Sequence, residues 1–444
     1  MRILILQFVP ARPRRPVPRF DPHLGTLITL LSQRGHEIAL CGVERFDKNK
    51  IKSELARTLP QLIYADISSV CVDIARRTLQ HIQQHEFLPV VAGGSYSAVD
   101  PKGCLSLPAV CAAAIGEPDA SLVTYLERMK DPAVGQIVSG IWLRDEKGLS
   151  RPDMPPLVED LDSLPLPERD LFNYGDVVRK TGEIEIAVGR GCPQVCAYCL
   201  NEWIEALYDE ESGAWVRRRS PESVLNEIDL LCDRYQGVRS VRFLDHAFAL
   251  ESDWLSAFLD LYVKRCKLPF RCHLRANTAD AASVARLAEA GCQLADIEVI
   301  SGSDFLRNEI FEMDLSEPQI KSTFELLKKA EIRTRAIVYL GAPYESEISL
   351  DETRDLLRIL KPDAVDIRAY YPWPGTRARE VAEENGWIHP RGEEQYHQRR
   401  CGINIPACRP EIVAAFMKRL RHEFPAFPGE PWWRRWALPG FGRG

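Results

Sequence analysis

From Ile184 onward, short apolar runs and helical patterns alternate six times, and this alternation restricts the fold more than any other feature. The strand-like runs are 184–188, 238–244, 270–276, 294–300, 333–340 and 364–371. Helical patterns fill the gaps at about 221–234, 252–265, 280–290, 316–330 and 347–360, with 376–385 after the last strand. Ser220-Pro221-Glu222 gives the first of these helices an N-cap hydroxyl, a proline at its first position and an acid in its first turn. Six consecutive βα units predict a parallel sheet curled into a partial (β/α)6 TIM-type barrel. Such a barrel carries its chemistry on loops at the carboxyl ends of the strands.

The front of the chain is also α/β. Strand patterns at 2–8, 37–42, 63–70, 88–92 and 109–113 interleave with helical ones at 24–34, 73–85 and 120–130. They predict a doubly wound, Rossmann-like parallel sheet over 1–140. Segments 136–144 and 147–151 read as a hairpin around Asp145-Glu146. The following stretch, 152–170, holds five prolines and six acidic residues and reads as a linker. The expected organisation is thus a front domain (1–140), a hairpin and linker (141–180), a barrel (181–390) and a C-terminal extension (391–444).

Composition bounds the function. A net charge of −6 argues against a dedicated nucleic-acid binder, and the basic run at 11–15 is short, proline-broken and read as a solvated loop. The apolar N-terminus is too short for a membrane span, and no segment approaches the roughly 18 uninterrupted apolar residues one needs. A cytoplasmic location is expected. Most of the 13 cysteines stand singly in apolar segments, as Cys41, Cys71, Cys111 and Cys232 do, where a thiol acts as a small hydrophobe.

One cysteine cluster is tight. Cys192, Cys196 and Cys199 are spaced C-x3-C-x2-C directly after the first barrel strand, with Gly189 and Gly191 freeing the backbone to turn beside them. Thiolates suit iron–sulfur clusters and zinc alike. A structural zinc site takes four ligands, and no fourth cysteine or histidine stands nearby, which favours a cubane with one iron left open.

With Tyr198 before the last cysteine, this segment resembles the signature of the radical S-adenosylmethionine (SAM) superfamily. The resemblance implies a [4Fe-4S] cluster on Cys192, Cys196 and Cys199, SAM on the open iron, and reductive cleavage of SAM to a 5′-deoxyadenosyl radical. It also implies a low-potential electron donor such as flavodoxin or ferredoxin. Later strand ends resemble the family's SAM-binding motifs. Phe243-Leu244-Asp245-His246 offers Asp245 to the SAM amino group, and Arg275 offers a partner for its carboxylate. Glu298-Val299-Ile300-Ser301-Gly302-Ser303 resembles Gly-Ile-Glu-Ser-Gly-Ser, with Ile300 where an acid is usual and Ser301 retained. Leu340-Gly341-Ala342-Pro343-Tyr344-Glu345-Ser346 resembles Gly-x-Pro-Gly-Glu-Thr, keeping Gly341 and Pro343 but with Tyr344 in place of a glycine. Tyr371-Pro372-Trp373-Pro374-Gly375-Thr376 resembles the closing motif. On residue type alone, Asp245 and Arg275 also read as a surface ion pair, and Gly341 and Pro343 as shapers of a turn.

The front domain resembles the cobalamin-binding domain that precedes the barrel in one radical SAM class. Gly93 and Gly94, after the fourth strand, would let a nucleotide tail lie against bare backbone. Asp21-Pro22-His23-Leu24-Gly25 resembles a cobalt-ligating Asp-x-His-x-x-Gly loop but is one residue short. His23 is therefore a cobalt ligand or a partly exposed turn histidine. Cys401 and Cys408 read as reduced structural cysteines or, less favoured with only two ligands, as ligands of a second cluster; 431–436 reads as a segment that packs on the barrel or covers a substrate mouth, packing being preferred. The resemblance implies cobalamin-dependent methylation of an unactivated carbon in a small-molecule or natural-product substrate. Radical cyclisation or rearrangement in the same architecture is the alternative. From other classes, an iron–sulfur electron carrier needs no six-unit barrel, and a zinc-stabilised module lacks a fourth ligand.

Overall fold

The computed structural model describes residues 1–10, 18–130, 137–145, 148–246, 248–249 and 252–424. The chain divides into two compact units. One comprises 1–174 with the short segments 203–215 and 373–375, and the other holds the remainder.

The first unit is a seven-stranded sheet ordered β2-β1-β3-β4-β5-β6-β7. Strands β1 (Arg2–Phe8), β2 (Glu37–Val43), β3 (Leu62–Ile67), β4 (Val90–Gly93) and β5 (Val110–Ala114) run parallel. The hairpin β6 (Ile141–Asp145) and β7 (Gly148–Ser150) adds two antiparallel strands at one edge. Helices α1 (Pro22–Gln33), α2 (Lys48–Thr58), α3 (Val72–His85), α4 (Ser95–Val99) and α5 (Pro101–Cys104) connect the parallel strands, and α6 (Asp119–Arg128) follows the last of them. The doubly wound expectation is met, with two additions. Helix α2 escaped the sequence pattern because only Ile51 and Leu55 of its eleven residues are buried. Residues 95–104 form two short helices where none was expected. The later segments complete this unit: the Trp203 indole N–H donates to the Ala98 carbonyl at 3.0 Å, and the Glu117 N–H to the Tyr208 hydroxyl at 2.7 Å.

The second unit begins with helix α7 (Tyr174–Thr181). Its sheet comprises β8 (Glu183–Ile186), β11 (Ser240–Phe243), β12 (Phe270–Leu274), β13 (Cys292–Ile300), β14 (Arg333–Leu340) and β15 (Ala364–Ala369), paired in chain order and all parallel. A small ribbon of β9 (Gly189–Arg190) and β10 (Arg217–Arg218), and helix α8 (Leu200–Glu205), lie between the first two strands. Helices α9 (Pro221–Arg234), α10 (Ser252–Arg265), α11 (Ala281–Glu289), α12 (Glu317–Lys329) and α13 (Glu347–Leu360) make the crossovers. After β15 come α14 (Arg377–Glu384), α15 (Gly392–His397) and α16 (Pro410–Glu423). This is the partial barrel read from the alternation. The Ser220 hydroxyl accepts the Ser223 N–H at 3.1 Å, the cap expected of α9.

The barrel strands largely alternate. One face carries Ile184, Ile186, Val241, Phe243, Ile297, Val338 and their neighbours, nearly all fully buried. The other carries ionisable groups: Glu183 and Glu185, Arg242, Arg271 and His273, Asp296 and Glu298, Arg335, Asp366 and Arg368. With period two, the aliphatic set faces the helices and the ionisable set the concave side.

Candidate active site at the cysteine loop

Asp245 fixes where the cysteine loop begins. Its carboxylate accepts the Val188 N–H at 2.8 Å and stands 3.5 Å from the Arg218 guanidinium, both side chains being almost buried. Gly189 then pairs with Arg218 across the β9–β10 ribbon. A Cβ there would stand 2.5 Å from the Arg217 carbonyl oxygen, so the ribbon closes only on glycine. Gly191 follows at φ +79°, in the left-handed region.

The loop itself is pinned by backbone hydrogen bonds. Ala197 N–H donates to Phe311 O, Cys199 N–H to Cys196 O and Ala378 N–H to Ala197 O, all at 2.9–3.0 Å. Asn201 ties the loop's ends together: its side-chain amide donates to Cys192 O at 2.8 Å and its backbone N–H reaches Cys199 Sγ at 3.5 Å. Cys196 is buried, and Cys192 and Cys199 are partly exposed. Arg275 Nη1 lies 3.2 Å from Cys196 Sγ, and Nη2 donates to Met313 O at 2.5 Å. Burial pushes all three thiols up, Cys199 to about 12, while the Arg275 charge opposes the rise at Cys196.

Tyr198 lies on the concave side. Its hydroxyl donates to Glu298 Oε2 at 3.1 Å, and its ring meets Phe311 edge-on at 5.3 Å. Glu298 Oε1 is 3.4 Å from His246 Nδ1, and the His246 ring lies 4.5 Å from that of His273. Burial works against the Glu298 charge, but the His246 hydrogen bond and charge win and hold the carboxyl at about 2. His246 is likewise raised by Glu298 against its own burial. His273, deeper in the sheet, is held by burial well below its ordinary value and stays neutral.

The residues singled out from sequence separate into groups. Cys192, Cys196, Cys199, Tyr198 and Arg275 come together around one loop, with Asp245 at its start. Asp245 and Arg275 do not form a surface pair: Asp245 engages Arg218, and Arg275 engages Cys196. The Ser301 hydroxyl is committed elsewhere, accepting the Ser303 N–H at 3.1 Å and lying 3.3 Å from Thr353 Oγ1 of α13. Just before it the β13–β14 register slips between Glu298 and Ile300, and Ile300 takes φ +63°, a rare conformation for a β-branched residue. Gly341 has φ +86°, and a Cβ on it would stand 2.4 Å from Cys401 Sγ. Tyr344, on the glycine position of that motif, takes a glycine-like φ of +61°. Pro343 is buried in the turn between them.

In the first unit, His23 is exposed in the first turn of α1, and the Asp21 carboxylate caps its backbone N–H at 2.9 Å. Gly93 and Gly94 do not face open space. A Cβ on Gly93 would meet the Tyr64 hydroxyl at 2.0 Å, and one on Gly94 the Asp66 carboxylate at 2.6 Å. Cys401 is buried with its Sγ 3.3 Å from the Gly341 and Ile403 carbonyls. The basic run at 11–15 and the segment 431–436 lie outside the described residues.

Sequence reading missed Glu298, His246, His273 and Asn201. A signal for Glu298 and His273 was present in the alternation of ionisable and aliphatic residues along their strands, which an apolar-run search treats as noise.

Residues 186–357 match the family model of the radical SAM superfamily. The chain therefore carries a radical SAM domain, which implies a [4Fe-4S] cluster and SAM. Among its particular relatives, an uncharacterized methyltransferase of Pyrococcus horikoshii is 25 % identical over 307 residues, covering 67 % of this chain and 64 % of that protein. The anaerobic magnesium-protoporphyrin IX monomethyl ester cyclase of Rubrivivax gelatinosus is 23 % identical over 342 residues, covering 74 % of this chain and 59 % of the cyclase. The chain thus spans less than two thirds of either relative's length. Among solved structures, the radical SAM methyltransferase TsrM of Kitasatospora setae, with cobalamin and a [4Fe-4S] cluster bound, matches at TM-score 0.67 and 19 % identity over 88 % of this chain and 80 % of that one. The cobalamin-dependent SAM radical enzyme OxsB matches at TM-score 0.71 and 16 % identity over 91 % of this chain and 64 % of its own. This chain shares their fold. Among the described residues no helix is long and apolar enough to cross a membrane.

Three cysteine thiols on one short loop are the donor type that iron–sulfur clusters take. Among the described residues no three His, Cys, Asp or Glu side chains are grouped as ligands of a single metal ion. Zinc would draw each sulfur to about 2.3 Å from one centre. A cubane instead takes one thiolate on each of three irons, and Cys192, Cys196 and Cys199 would supply them.

Proposed function

We propose that this protein is a cobalamin-dependent radical SAM enzyme that methylates an unactivated carbon of a small-molecule substrate. The observation that carries this reading is the three-thiol loop, with Arg275 on the Cys196 sulfur, at the carboxyl end of the first strand of a six-stranded parallel half-barrel. In this reading Cys192, Cys196 and Cys199 hold the cluster, residues 181–390 form the barrel domain and residues 1–140 the cobalamin domain. Once bound, the cluster and SAM supply a 5′-deoxyadenosyl radical, and cobalamin supplies a methyl group.

The chain's own residues hold and shield that chemistry. Arg275 places a cation beside a buried thiolate, lowering the cost of its charge. Tyr198, fixed by Glu298 and Phe311, sets an aromatic wall beside Cys199. Gly341 and Pro343 shape the end of β14, and Ser301 braces the bulge after Glu298 rather than offering its hydroxyl to a ligand. In the first unit the hydroxyls of Ser69, after β3, and Ser121, in the first turn of α6, are buried without hydrogen-bond partners at the carboxyl ends of the strands. Unsatisfied hydroxyls at that end of a doubly wound sheet suit a polar ligand tail. Such a tail would meet Tyr64 and Asp66 beside Gly93 and Gly94. An exposed His23 is free to approach cobalt from α1.

Similarity to a magnesium-protoporphyrin cyclase favours a second reading, radical cyclisation without methyl transfer. Anaerobic titration of the purified chain with hydroxocobalamin separates the two. The first reading predicts a corrinoid spectrum that stays with the protein through gel filtration. A corrinoid that elutes free of protein leaves the cobalamin-free reading.

A further inference from the structure

The concave face of the barrel is built in two layers that differ in how tightly they are closed. In the lower layer Arg271 holds Glu183 through two hydrogen bonds of 2.7 Å, and Arg335 holds Asp296 at 2.7 and 2.5 Å. Arg271 also lies 3.7 Å from Asp296, so the four groups form one buried, self-neutralised floor.

One layer nearer the carboxyl ends the pairs stay open. Arg242 holds Glu185 at 2.9 Å, Arg368 holds Asp366 at 2.8 Å, and His246 faces Glu298 at 3.4 Å. The side chains of His246, Arg368 and Asp366 remain 59 %, 37 % and 34 % accessible, against 11 % or less for the floor. His273 Nδ1 and Arg242 Nε are buried there with no hydrogen-bond partner, although His273 is nine-tenths buried. Tyr339 borders the layer, its hydroxyl 2.9 Å from Arg368.

Fold stability does not explain this upper layer. Buried ion pairs are commonly replaced by apolar groups at no loss, so a chain that keeps three partly accessible pairs on one concave surface keeps them for a ligand. The charges also select the ligand's class. Three cationic groups, Arg242, Arg368 and His246, alternate with three carboxylates, Glu185, Asp366 and Glu298. A simple anion entering here meets the carboxylates, and a simple cation meets the guanidinium groups. An apolar ligand strips water from all six and returns nothing. A molecule with both charges satisfies both sets.

We propose that this upper layer is the substrate-recognition surface of the barrel and that its ligand is a small zwitterion with an ammonium and a carboxylate, as in a free α-amino acid. The carboxylate lies toward His246 and Arg368, the ammonium toward Glu298 and Asp366, and His273 Nδ1 takes a donor from the ligand. This inference rests on the radical SAM reading and deepens it by naming the class of substrate. SAM carries the same two groups, so the test separates the two ligands.

The full chain, reconstituted with its cluster and saturated with SAM, is titrated calorimetrically with each of the twenty free L-amino acids. At least one binds. His246→Gln and Arg368→Met each weaken that binding about tenfold or more, the scale of a lost hydrogen bond to a charged group, and weaken it more than they weaken SAM binding. His246 is half exposed, so His246→Gln keeps the test open should Arg368→Met fail to fold. If no amino acid binds an enzyme that still cleaves SAM, the inference falls and the radical reading stands. Unchanged amino-acid binding in both variants also overturns it. Equal loss of SAM affinity assigns the layer to SAM and overturns it too.

Discussion

The Arg275 guanidinium touches the Cys196 sulfur at 3.2 Å and is anchored on its other side by the Met313 carbonyl. A fixed cation at a buried thiol makes the thiolate form accessible to metal without exposing it to water. A hydrogen bond to a charged partner contributes about 1.5–3 kcal/mol, so Arg275→Met should retain roughly a tenth or less of the wild-type iron and acid-labile sulfide after reconstitution. Arg275→Lys keeps the charge and should recover part of it. Full iron content in Arg275→Met would show that Arg275 only packs.

The Asp296–Arg335 pair predicts an asymmetry in stability. Arg335→Leu leaves Asp296 a buried carboxylate with Arg271 and His273, each at 3.7 Å, and should cost about 3 kcal/mol in urea unfolding. Removing both charges, Asp296→Leu with Arg335→Leu, should recover most of that loss. A double variant no more stable than the single one contradicts the floor's self-neutralised character.

Gly341 is required twice over, by its left-handed backbone and by the Cys401 sulfur where a Cβ would lie. Gly341→Ala should destabilise by about 2–4 kcal/mol. Adding Cys401→Ala removes the collision but not the backbone strain, and should restore about half of the melting-temperature loss.

Glu345 is buried and accepts the Gly341 N–H at 3.2 Å and the Ser349 hydroxyl. Burial raises its titration from 4.5 to about 7 despite those bonds. Its contribution to stability is therefore fully present below about pH 4.5 and is lost as pH rises through 7. Glu345→Gln should be more stable than wild type above pH 7 by up to about 3 kcal/mol, and the difference should vanish near pH 4. Denaturant midpoints measured across that range check the sign.

The barrel was legible in the sequence because each of its strands alternates with a helix whose apolar period and caps agree with it. Strand 333–340 was read to the residue. What stayed hidden was decided by neighbours far along the chain. Helix α2 buries too few residues to show a period; α16 carries one, at Val413, Phe416, Met417 and Leu420 behind Pro410, which the reading passed over. Within the site, cysteine spacing identified the loop, and the strand-end position of Arg275 brought it to Cys196. Ser301 and Gly341 occupy the right motifs, yet their demands come from Thr353 and Cys401, which no local pattern predicts. The acid that holds Tyr198 is Glu298, not a residue at position 300: alternation from Asp296 sets Glu298 on the concave face, and the register slips only after it.

The central claim is that Cys192, Cys196 and Cys199 carry a cluster that cleaves SAM. Its most direct test is anaerobic reconstitution with iron and sulfide, addition of SAM and a strong reductant, and quantification of 5′-deoxyadenosine and methionine by chromatography. The account predicts both products from the wild-type chain and neither from Cys196→Ala. A wild-type chain that holds iron and sulfide yet yields no 5′-deoxyadenosine, or a Cys196→Ala chain that yields it undiminished, would contradict the account.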